Sequence, residues 1–331
     1  MFEIAFDTTP LAQTRAGTAR YIRGLLGELA HASEVTLRRH AFAFGGRAAV
    51  PVRDLGWYLG ALPLLARGGD LLHCPSFRAP IRSSVPLVVT FHDLAVLRHP
   101  ETFNTWTRRY SRALLPRVAR AAERVIAVSE FTARELVDLL GVPEAKIRVI
   151  PNAVGPPFTD TGEAAEGDYV LAVSTLEPRK NLGRLVEGFR QAGLNGCELR
   201  VVGARGWGDV EPVPSAGVRW LGEVSDDELA RLYRGARCTA YVSLYEGFGL
   251  PVLEAMACGT PVVSADLPPI REFARGVVTV DPRDAESIAA GLGEAIARGD
   301  ELGREGRKAA AAYDWARVAR ETIEVYREVA G

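Results

Sequence analysis

The stretch Glu246-Gly-Phe-Gly-Leu-Pro-Val-Leu-Glu254 is the part of the sequence that points most directly to a fold. It follows an apolar run, Thr239–Val242, whose residue types predict a buried strand. Pro251 suits the first turn of a following helix, where the missing N–H of a proline costs nothing. The two glycines let the backbone approach a ligand closely, so the amides around Gly249 and Leu250 are predicted to form an anion site. A strand, a glycine-rich turn and a helix in this order are typical of open α/β sheets, which bind ligands at the carboxyl ends of their strands.

The same alternation of strands and helices extends over the whole chain. Nearly continuous apolar strands that alternate with helices indicate buried parallel sheets, so we expect an α/β protein with two doubly wound, Rossmann-like domains. The predicted strands are Phe2–Phe6, Val35–Phe44, Asp70–His73, Pro86–Phe91, Arg124–Val128, Ile147–Ile150, Tyr169–Val173, Glu198–Val202, Val218–Leu221, Thr239–Val242, Pro261–Ser264 and Val277–Val280. The predicted helices are Gly17–His31, Thr105–Ala122, Glu130–Leu140, Leu182–Gln191, Asp226–Gly235, Pro251–Cys258, Ala285–Ala297 and Asp314–Val329.

A segment without periodicity separates two halves of opposite charge. Residues 151–157 and then 159–167 are rich in Pro, Gly, Thr and acidic residues, which is typical of a linker. We therefore predict a first domain over residues 1–155, a second over 156–312 and a C-terminal helix within 313–331. Residues 1–150 carry 20 basic and 13 acidic residues (net +7), and the remainder carries 20 and 28 (net −8). The two domains are therefore expected to face different partners.

Several classes of function are disfavoured by what the sequence lacks. It contains neither the dinucleotide fingerprint G-x-G-x-x-G, nor a phosphate-binding P-loop, nor the G-x-S-x-G of hydrolases. There is no D-x-D pair and no His/Cys cluster with metal spacing, so no protein-held metal is expected. A net charge of −1 argues against nucleic-acid binding. Four widely spaced cysteines, no apolar run long enough to span a membrane and no signal peptide predict a cytoplasmic protein.

The two carboxylates of the opening stretch flank the predicted anion site. Glu246 precedes the site, and Glu254 lies one helical turn beyond it. Carboxylates on both sides of a phosphate cradle suit the hydroxyls of a nucleotide sugar. The alternative is a capped helix start whose acidic residues are stabilised by the helix dipole.

A second motif, Leu176-Glu-Pro-Arg-Lys-Asn-Leu182, follows the strand Tyr169–Val173. Asn181 is predicted to cap the next helix with its side chain. Arg179 and Lys180 then concentrate positive charge at the carboxyl edge of a strand, which suits a diphosphate leaving group. The alternative is a solvated pair of basic residues in a loop.

His92 directly follows the predicted strand Pro86–Phe91, which places it at the carboxyl edge of the first sheet. Such a position favours a role in a functional site. The alternative is a structural histidine that hydrogen-bonds to the backbone of a loop.

Together these motifs resemble the family-4 retaining glycosyltransferases of GT-B fold. The resemblance covers nearly the whole chain, because further motifs occur in the order of that family. They include Phe91-His92-Asp93-Leu94, Val128-Ser129-Glu130-Phe131, Ile150-Pro151-Asn152, Val202-Gly203 and Leu221-Gly222-Glu223-Val224. Leu176–Leu182 is most similar to the bacterial mannosyltransferases of the family.

The resemblance implies that the two domains face each other across a cleft. It also implies a binding site for the sugar donor. By resemblance, Arg179 and Lys180 stabilise the departing diphosphate, Glu246 holds the hydroxyls of the sugar and Glu254 accepts from the ribose diol. The resemblance also implies that His92 lies near the transferred sugar. The remaining donor-binding residues that it implies are Gly17, Gly203, Val224, Phe248, Gly249 and Leu250, with the loops at Gly203 and Val224 flanking the base.

Two positions depart from the family pattern. The glycine-rich loop of the first domain usually reads Gly-Gly-x-Gly, whereas here it reads Ala16-Gly17-Thr18-Ala19, so only Gly17 is carried over as a backbone contact. Ser174-Thr175 stand where many relatives have Gly-Arg. The charge of the phosphates would then be met by Arg179 and Lys180.

The expected activity is transfer of a hexose from a nucleotide diphosphate sugar to the hydroxyl of a glycan or lipid-linked acceptor. The resemblance favours mannose and GDP-mannose, retention of configuration, and catalysis without a metal or other cofactor. It suggests a role in the synthesis of a bacterial polysaccharide or glycolipid. Two alternatives remain: a UDP-sugar donor such as UDP-glucose, and a catalytically silent protein that binds nucleotide sugars.

The segment from Arg98 to Arg124, with both ends included, contains seven arginines and two acidic residues. Trp106, Tyr110, Leu114 and Val118 recur every four residues, which predicts one apolar helix face with arginines around the rest. One interpretation is a helix docked on the core with a solvated basic surface. The other is contact with a lipid-diphosphate acceptor or with anionic lipid headgroups, in which the protein binds an anionic membrane peripherally, through charge rather than insertion.

Overall fold

The computed structural model describes residues 1–14, 17–44, 46, 49–206 and 216–330. The chain divides into two compact units. Unit 1 comprises Met1–Arg98, Thr105–Ala153 and Trp315–Gly331, and unit 2 comprises His99–Asn104 and Val154–Asp314. The C-terminal helix, which we predicted as a separate element, is thus part of unit 1.

The described elements alternate between strands and helices. The strands are β1 (Phe2–Asp7), β2 (Val35–His40), β3 (Leu71–Cys74), β4 (Leu87–Phe91), β5 (Arg124–Ala127), β6 (Ile147–Val149), β7 (Tyr169–Val173), β8 (Glu198–Val202), β9 (Val218–Gly222), β10 (Cys238–Tyr241), β11 (Val262–Ala265) and β12 (Val277–Val280). The α-helices are α1 (Gly17–Leu29), α2 (Ala49–Pro51), α3 (Leu62–Leu65), α4 (Ala95–Arg98), α5 (Thr105–Ala121), α6 (Glu130–Leu140), α7 (Leu182–Gln191), α8 (Asp226–Gly235), α9 (Leu250–Ala257), α10 (Pro268–Phe273), α11 (Ala285–Ala297), α12 (Gly299–Ala310) and α13 (Trp315–Ala330). Short 3₁₀ turns cover Thr9–Ala12, Pro100–Thr102, Glu144–Lys146 and Pro178–Lys180, and Val52–Ala61 has π-helical hydrogen bonding.

Each unit is built on one six-stranded parallel sheet, which confirms the predicted fold class. The order is β2-β1-β3-β4-β5-β6 in unit 1 and β12-β11-β10-β7-β8-β9 in unit 2. The central strands β3, β4, β7 and β10 are buried at every residue, as sheets covered on both faces require. Both orders place the carboxyl ends of neighbouring strands side by side.

Two sequence predictions in unit 1 need correction. The second strand was predicted over Val35–Phe44 but ends at His40, because its neighbour β1 ends at Asp7, which pairs with His40. A helical run over residues 49–65, formed by α2, Val52–Ala61 and α3, was not predicted at all. Its apolar residues, glycines and prolines are distributed without a polar face, so no helical period is visible in the sequence.

Helix α13 completes the core of unit 1. Its side chains Val318, Ile323 and Tyr326 are buried, and Val329 packs against the same core. The Tyr326 hydroxyl lies 2.6 Å from Nδ1 of His73, a residue of β3, and the other ring nitrogen of His73 lies 2.9 Å from Oγ1 of Thr90. Burial lowers the pKa of His73 to about 3, so this histidine is a neutral structural link between the sheet and α13.

The buried face of α5 differs from the predicted one. Tyr110, Leu115 and Val118 are buried, whereas Leu114 is only partly buried and Trp106 is 39% exposed. A spacing of four residues advances by more than one helical turn of 3.6, so the predicted stripe drifts off the true face along the helix. Two of the seven arginines are paired within unit 1, Arg98 with Glu135 and Arg124 with Glu328. The arginines exposed on α5 itself are Arg108, Arg109, Arg112, Arg117 and Arg120.

None of the helices in the described part of the chain is both long enough and apolar enough to cross a lipid bilayer.

Candidate functional site

The strand order of unit 2 brings the two main sequence motifs together. Strands β7 and β10 are parallel neighbours, so the loops that follow them begin at the same edge of the sheet. The first loop contains the turn Pro178–Lys180, and the second leads through Glu246 into α9. Lys180 Nζ lies 2.6 Å from Glu246 Oε1, and Arg179 Nη1 lies 3.3 Å from Glu246 Oε2.

These residues form a cluster of four charges. Arg179 also donates from Nη2 to Oε1 of Glu177 at 2.7 Å and from Nη1 to the Tyr245 carbonyl at 2.7 Å. Lys180 Nζ is 3.2 Å from the Tyr241 hydroxyl. The sequence predicted a concentration of positive charge, but two carboxylates balance the two cations here. Glu177 and Tyr241 were not singled out, because only the folded positions of the loops identify them as partners.

Glu246 is ionised within this cluster. It is 7% exposed, and burial by itself raises the pKa of its carboxyl. The nearby charges of Lys180 and Arg179 outweigh burial and hold the pKa at about 2. The carboxylate therefore keeps its negative charge at neutral pH and accepts hydrogen bonds only.

Asn181 does not cap α7 in the predicted way. It occupies the N-cap position with a left-handed φ of 57°, and its side chain makes no capping hydrogen bond. Instead, its amide nitrogen donates to the carbonyls of Val242 at 3.1 Å and Pro282 at 2.6 Å. Asn181 thus fixes the loop after β7 to the end of β10, because a left-handed backbone turns its side chain away from the helix start.

The helix start in the second motif has the predicted glycine geometry. Gly249 is the N-cap of α9 with a φ of 109°, and Pro251 occupies the first turn. A Cβ at Gly249 would lie 3.2 Å from Ile270 and would meet a strained backbone. The ring of Phe248 is stacked on Phe273 at 4.6 Å and is buried, so its side chain packs in the core rather than lining a surface.

Glu254 lies inside unit 2, one turn into α9. It is 1% exposed, and its Oε2 accepts a hydrogen bond of 3.1 Å from the hydroxyl of Tyr233, which belongs to α8. Tyr233 was missed by sequence reasoning, because nothing in its local pattern distinguishes it from a core tyrosine. It fixes the position of this carboxylate.

The other predicted residues of unit 2 follow the adjoining strands β8 and β9. Gly203 directly follows β8, and a Cβ there would lie 1.9 Å from the carbonyl oxygen of Ser174, so only glycine fits. Its amide donates to the Gly222 carbonyl at 2.9 Å. Val224 lies just after β9 and is half-buried. Both residues therefore lie at the sheet edge that carries the charged cluster.

In unit 1, His92 directly follows β4. Its Nε2–H donates to the Pro75 carbonyl at 3.0 Å, and its ring meets the ring of Tyr21 edge-on at 4.9 Å. Burial lowers its pKa, so the ring is neutral at pH 7 with the proton on Nε2. The backbone hydrogen bond of the structural interpretation is present. Gly17 begins α1, while Ala16 lies outside the described residues.

No group of three or more His, Cys, Asp or Glu side chains in the described ranges is arranged to hold a metal ion. The four cysteines are buried and unpaired with one another.

Two protein-family models match the chain, one over each half. The model described as Glycosyltransferase Family 4 matches residues 16–156, and the model described as Glycosyl transferases group 1 matches residues 158–312. Together they include all of the predicted site residues.

Individual proteins that are similar to this chain include named glycosyltransferases. The O-antigen chain mannosyltransferase B of Escherichia coli is 29% identical, over 98% of this chain and 99% of that protein. A D-inositol 3-phosphate glycosyltransferase of Geodermatophilus obscurus is 32% identical, over 75% of this chain and 62% of that protein. Among solved structures, Anabaena HepE in complex with UDP-glucose superimposes with a TM-score of 0.77 at 18% identity, covering 99% of this chain and 100% of that one. At that identity the likeness shows the fold alone.

Proposed function

Because the chain belongs to the family-4 glycosyltransferases of GT-B fold, we propose that it transfers mannose from GDP-mannose to an acceptor hydroxyl with retention of configuration. The observation that carries the proposal is the charged cluster of Arg179, Lys180 and Glu246 at adjoining strand ends. The choice of mannose is supported by the Escherichia coli relative, which is named a mannosyltransferase and is matched over almost its full length. The resemblance of Leu176–Leu182 to bacterial mannosyltransferases supports the choice of GDP as the nucleotide.

The cluster provides for both the sugar and the leaving group. Before the donor binds, Glu246 balances Lys180 and Arg179, so the buried cations cost less to keep charged. A diphosphate that enters beside Lys180 competes for the same ammonium group. Positive charge fixed in place favours the departing diphosphate most as the glycosidic bond breaks, because its negative charge is then greatest. Glu246 then accepts hydrogen bonds from the hydroxyls of the sugar.

We assign no protein nucleophile to the reaction. The bond between the anomeric carbon and the phosphate oxygen breaks, and the acceptor oxygen bonds to the same face of the sugar. The leaving phosphate oxygen takes the proton of the acceptor hydroxyl, so atoms and charge balance without a covalent enzyme intermediate. The acceptor is a glycan or a lipid-linked glycan.

The nucleotide is held by groups that do not change during this step. Glu254, positioned by Tyr233, accepts from the ribose diol, and the backbone at Gly203 and Val224 flanks the base. Gly249 and Leu250 direct the amides at the start of α9 towards a phosphate. Catalysis needs no divalent metal in this scheme, because Arg179 and Lys180 carry the positive charge.

The alternative donor is a UDP-sugar such as UDP-glucose, which HepE, a protein of the same fold, contains in its structure. A direct test is a thermal-shift screen with GDP-mannose and UDP-glucose, followed by nucleotide release in the presence of acceptor and NMR of the product anomer. A shift and release with GDP-mannose alone are expected, with an α product from the α-linked donor. Turnover with UDP-glucose alone would overturn the choice of donor. Binding without nucleotide release would instead identify a silent nucleotide-sugar-binding protein.

A further inference from the structure

The helical run over residues 49–65 exposes an unusual amount of apolar surface. Val52 is 58% exposed, Leu55 47%, Leu64 55% and Leu65 44%. Within the described residues, the other strongly exposed large apolar side chains are Phe44, Trp106 and Met1. All but Met1 thus belong to this run or to segments near it in unit 1.

The exposed positions of the run carry no polar side chain; Arg53 and Trp57 are only partly exposed. The exposed positions Pro51, Val52, Leu55, Gly56, Leu64 and Leu65, with the partly exposed Leu59, Gly60 and Pro63 beside them, are called the apolar strip below. A helix that faces water normally carries polar residues on its outer side. A contiguous apolar surface of this kind is typical of a contact site.

The acidic residue of the run interacts with side chains from the run itself and from other parts of unit 1. Asp54 is fully buried, and its carboxylate accepts from Arg53 Nε at 2.7 Å, Arg78 Nε at 3.2 Å and Trp106 Nε1 at 2.9 Å. Because Trp106 lies in the first turn of α5, Asp54 holds the apolar strip beside that helix. The exposed arginines of α5, which include Arg108 and Arg109, therefore belong to a helix that contacts the run carrying the strip.

Positive charge borders the other end of the strip. An open groove of about 470 Å³ is lined by Leu59, Pro63 and Leu64 on its apolar side and by Arg67, Arg82, Ser83 and Ser84 on its polar side. Asp54 is the one acidic residue in the sequence segments 41–69, 75–92 and 105–122, and it is buried. The region thus combines exposed apolar side chains with arginines that have no acidic neighbours in these segments.

We propose that the apolar strip and the arginines beside it bind the surface of an anionic lipid bilayer. The leucines enter the boundary between headgroups and acyl chains, and the arginines contact lipid phosphates. A second copy of the chain fits less well, because a symmetric contact would bring arginines against arginines with no carboxylate to pair them. The arginines of α5 alone predicted that the protein contacts a membrane through charge. The apolar strip adds insertion of leucine side chains into the membrane surface. This proposal goes beyond sugar transfer and does not depend on the identity of the donor.

The test is co-sedimentation of the full chain with phosphatidylglycerol vesicles and with phosphatidylcholine vesicles. We expect binding to the anionic vesicles at low salt that weakens, but does not vanish, at high salt, because the apolar contribution is not screened. The double variant Leu55→Glu and Leu64→Glu is expected to bind at least ten-fold more weakly. Lys308→Glu, exposed on α12 in unit 2, changes the net charge by the same amount and is expected to bind like the wild type.

The two contributions are separable. Arg108→Glu, Arg109→Glu and Arg112→Glu together are expected to remove the salt-dependent part of vesicle binding without lowering the melting temperature, because all three side chains are exposed. Nucleotide release with a water-soluble acceptor is expected to stay unchanged in every variant, so failure of this proposal is distinct from failure of sugar transfer. The proposal is overturned if the wild type does not bind anionic vesicles at low salt, or if the leucine variant binds as the wild type does. Loss of a dimer in the leucine variant would identify a second copy as the occupant instead.

Discussion

Lys180 Nζ lies 2.6 Å from Glu246 Oε1, although 66 residues separate the two along the chain. Each residue follows a different strand, and the pairing exists because β7 and β10 are neighbours in the sheet. The ion pair therefore depends on the strand order of the sheet as well as on the charges of the two side chains. Any group that binds to one of these side chains alters the electrostatic environment of the other.

Replacement of Glu246 tests the role of this pair. Glu246→Ala and Glu246→Gln are expected to lower kcat by about 100-fold, because the carboxylate is proposed to contact the sugar where charge develops. The donor KM is expected to change little. Steady-state kinetics measure both quantities, and Glu305→Gln, an exposed substitution on α12, is the matched control. Unchanged kcat in both Glu246 variants would place the reacting sugar elsewhere.

Glu254 is expected to act on binding instead. A contact to the ribose is nearly the same in the ground state and the transition state, so Glu254→Gln is expected to raise the donor KM with little change in kcat. Tyr233→Phe removes the hydrogen bond that positions this carboxylate and is expected to raise KM by a smaller factor. Isothermal titration with the nucleotide alone provides an independent readout. A loss confined to kcat would contradict the ribose assignment.

Activity is expected to survive exhaustive treatment with EDTA. The sequence contains no D-x-D pair, and the cations Arg179 and Lys180 lie where the diphosphate is proposed to bind. Nucleotide release should be measured after dialysis against chelator and again after Mn²⁺ or Mg²⁺ is restored. An activity that disappears and returns with the metal would refute the scheme.

Asp7, at the end of β1, gives a pH-dependent prediction. It is fully buried and accepts from the backbone and hydroxyl of Thr9 and from the hydroxyl of Tyr58. Burial outweighs these hydrogen bonds and raises its pKa to about 6. The native state thus holds this proton more tightly than the unfolded state does, and stability falls as the pH rises from about 4 through 6.

Asp7→Asn removes that loss while its amide can still bond to Tyr58 and Thr9. We compare the free energy of unfolding of the variant with that of the wild type at each pH. This difference is expected to be more favourable to the variant at pH 8 than at pH 4, by up to about 3 kcal/mol. Urea unfolding at several pH values measures the difference. Asp138→Asn, on the exposed face of α6, serves as the control. Parallel pH profiles for Asp7→Asn and wild type would show that Asp7 does not titrate as described.

The sequence predicted those features that depend on neighbouring residues. Strand after strand was found from local apolar runs, and the start of α9 followed from Gly249 and Pro251, because turn chemistry is local. The side chains that contact the two basic residues of the site were not predicted. Glu177 and Tyr241 meet Arg179 and Lys180 only after strand order is fixed, which no local pattern encodes.

Other errors have equally specific causes. Asn181 has a residue type that suits a helix cap, but its left-handed backbone directs the amide to Val242 and Pro282 instead. The run over residues 49–65 was missed because its outer face is as apolar as its inner face. The helix has no polar face, and for this reason its sequence showed no helical period. The same property makes its surface unusually apolar.

The place of α13 in unit 1 has a consequence for biosynthesis. The chain leaves unit 1 at Ala153 and returns at Trp315. At about 5–20 residues per second, a ribosome needs roughly 10–30 s to make the intervening segment. Throughout that time the apolar surface that later receives Val318, Ile323 and Tyr326 has no cover. The strands of the first sheet are thus all made early, whereas the helix that covers this surface is made late, and the nascent chain offers a binding site for chaperones until α13 has been made.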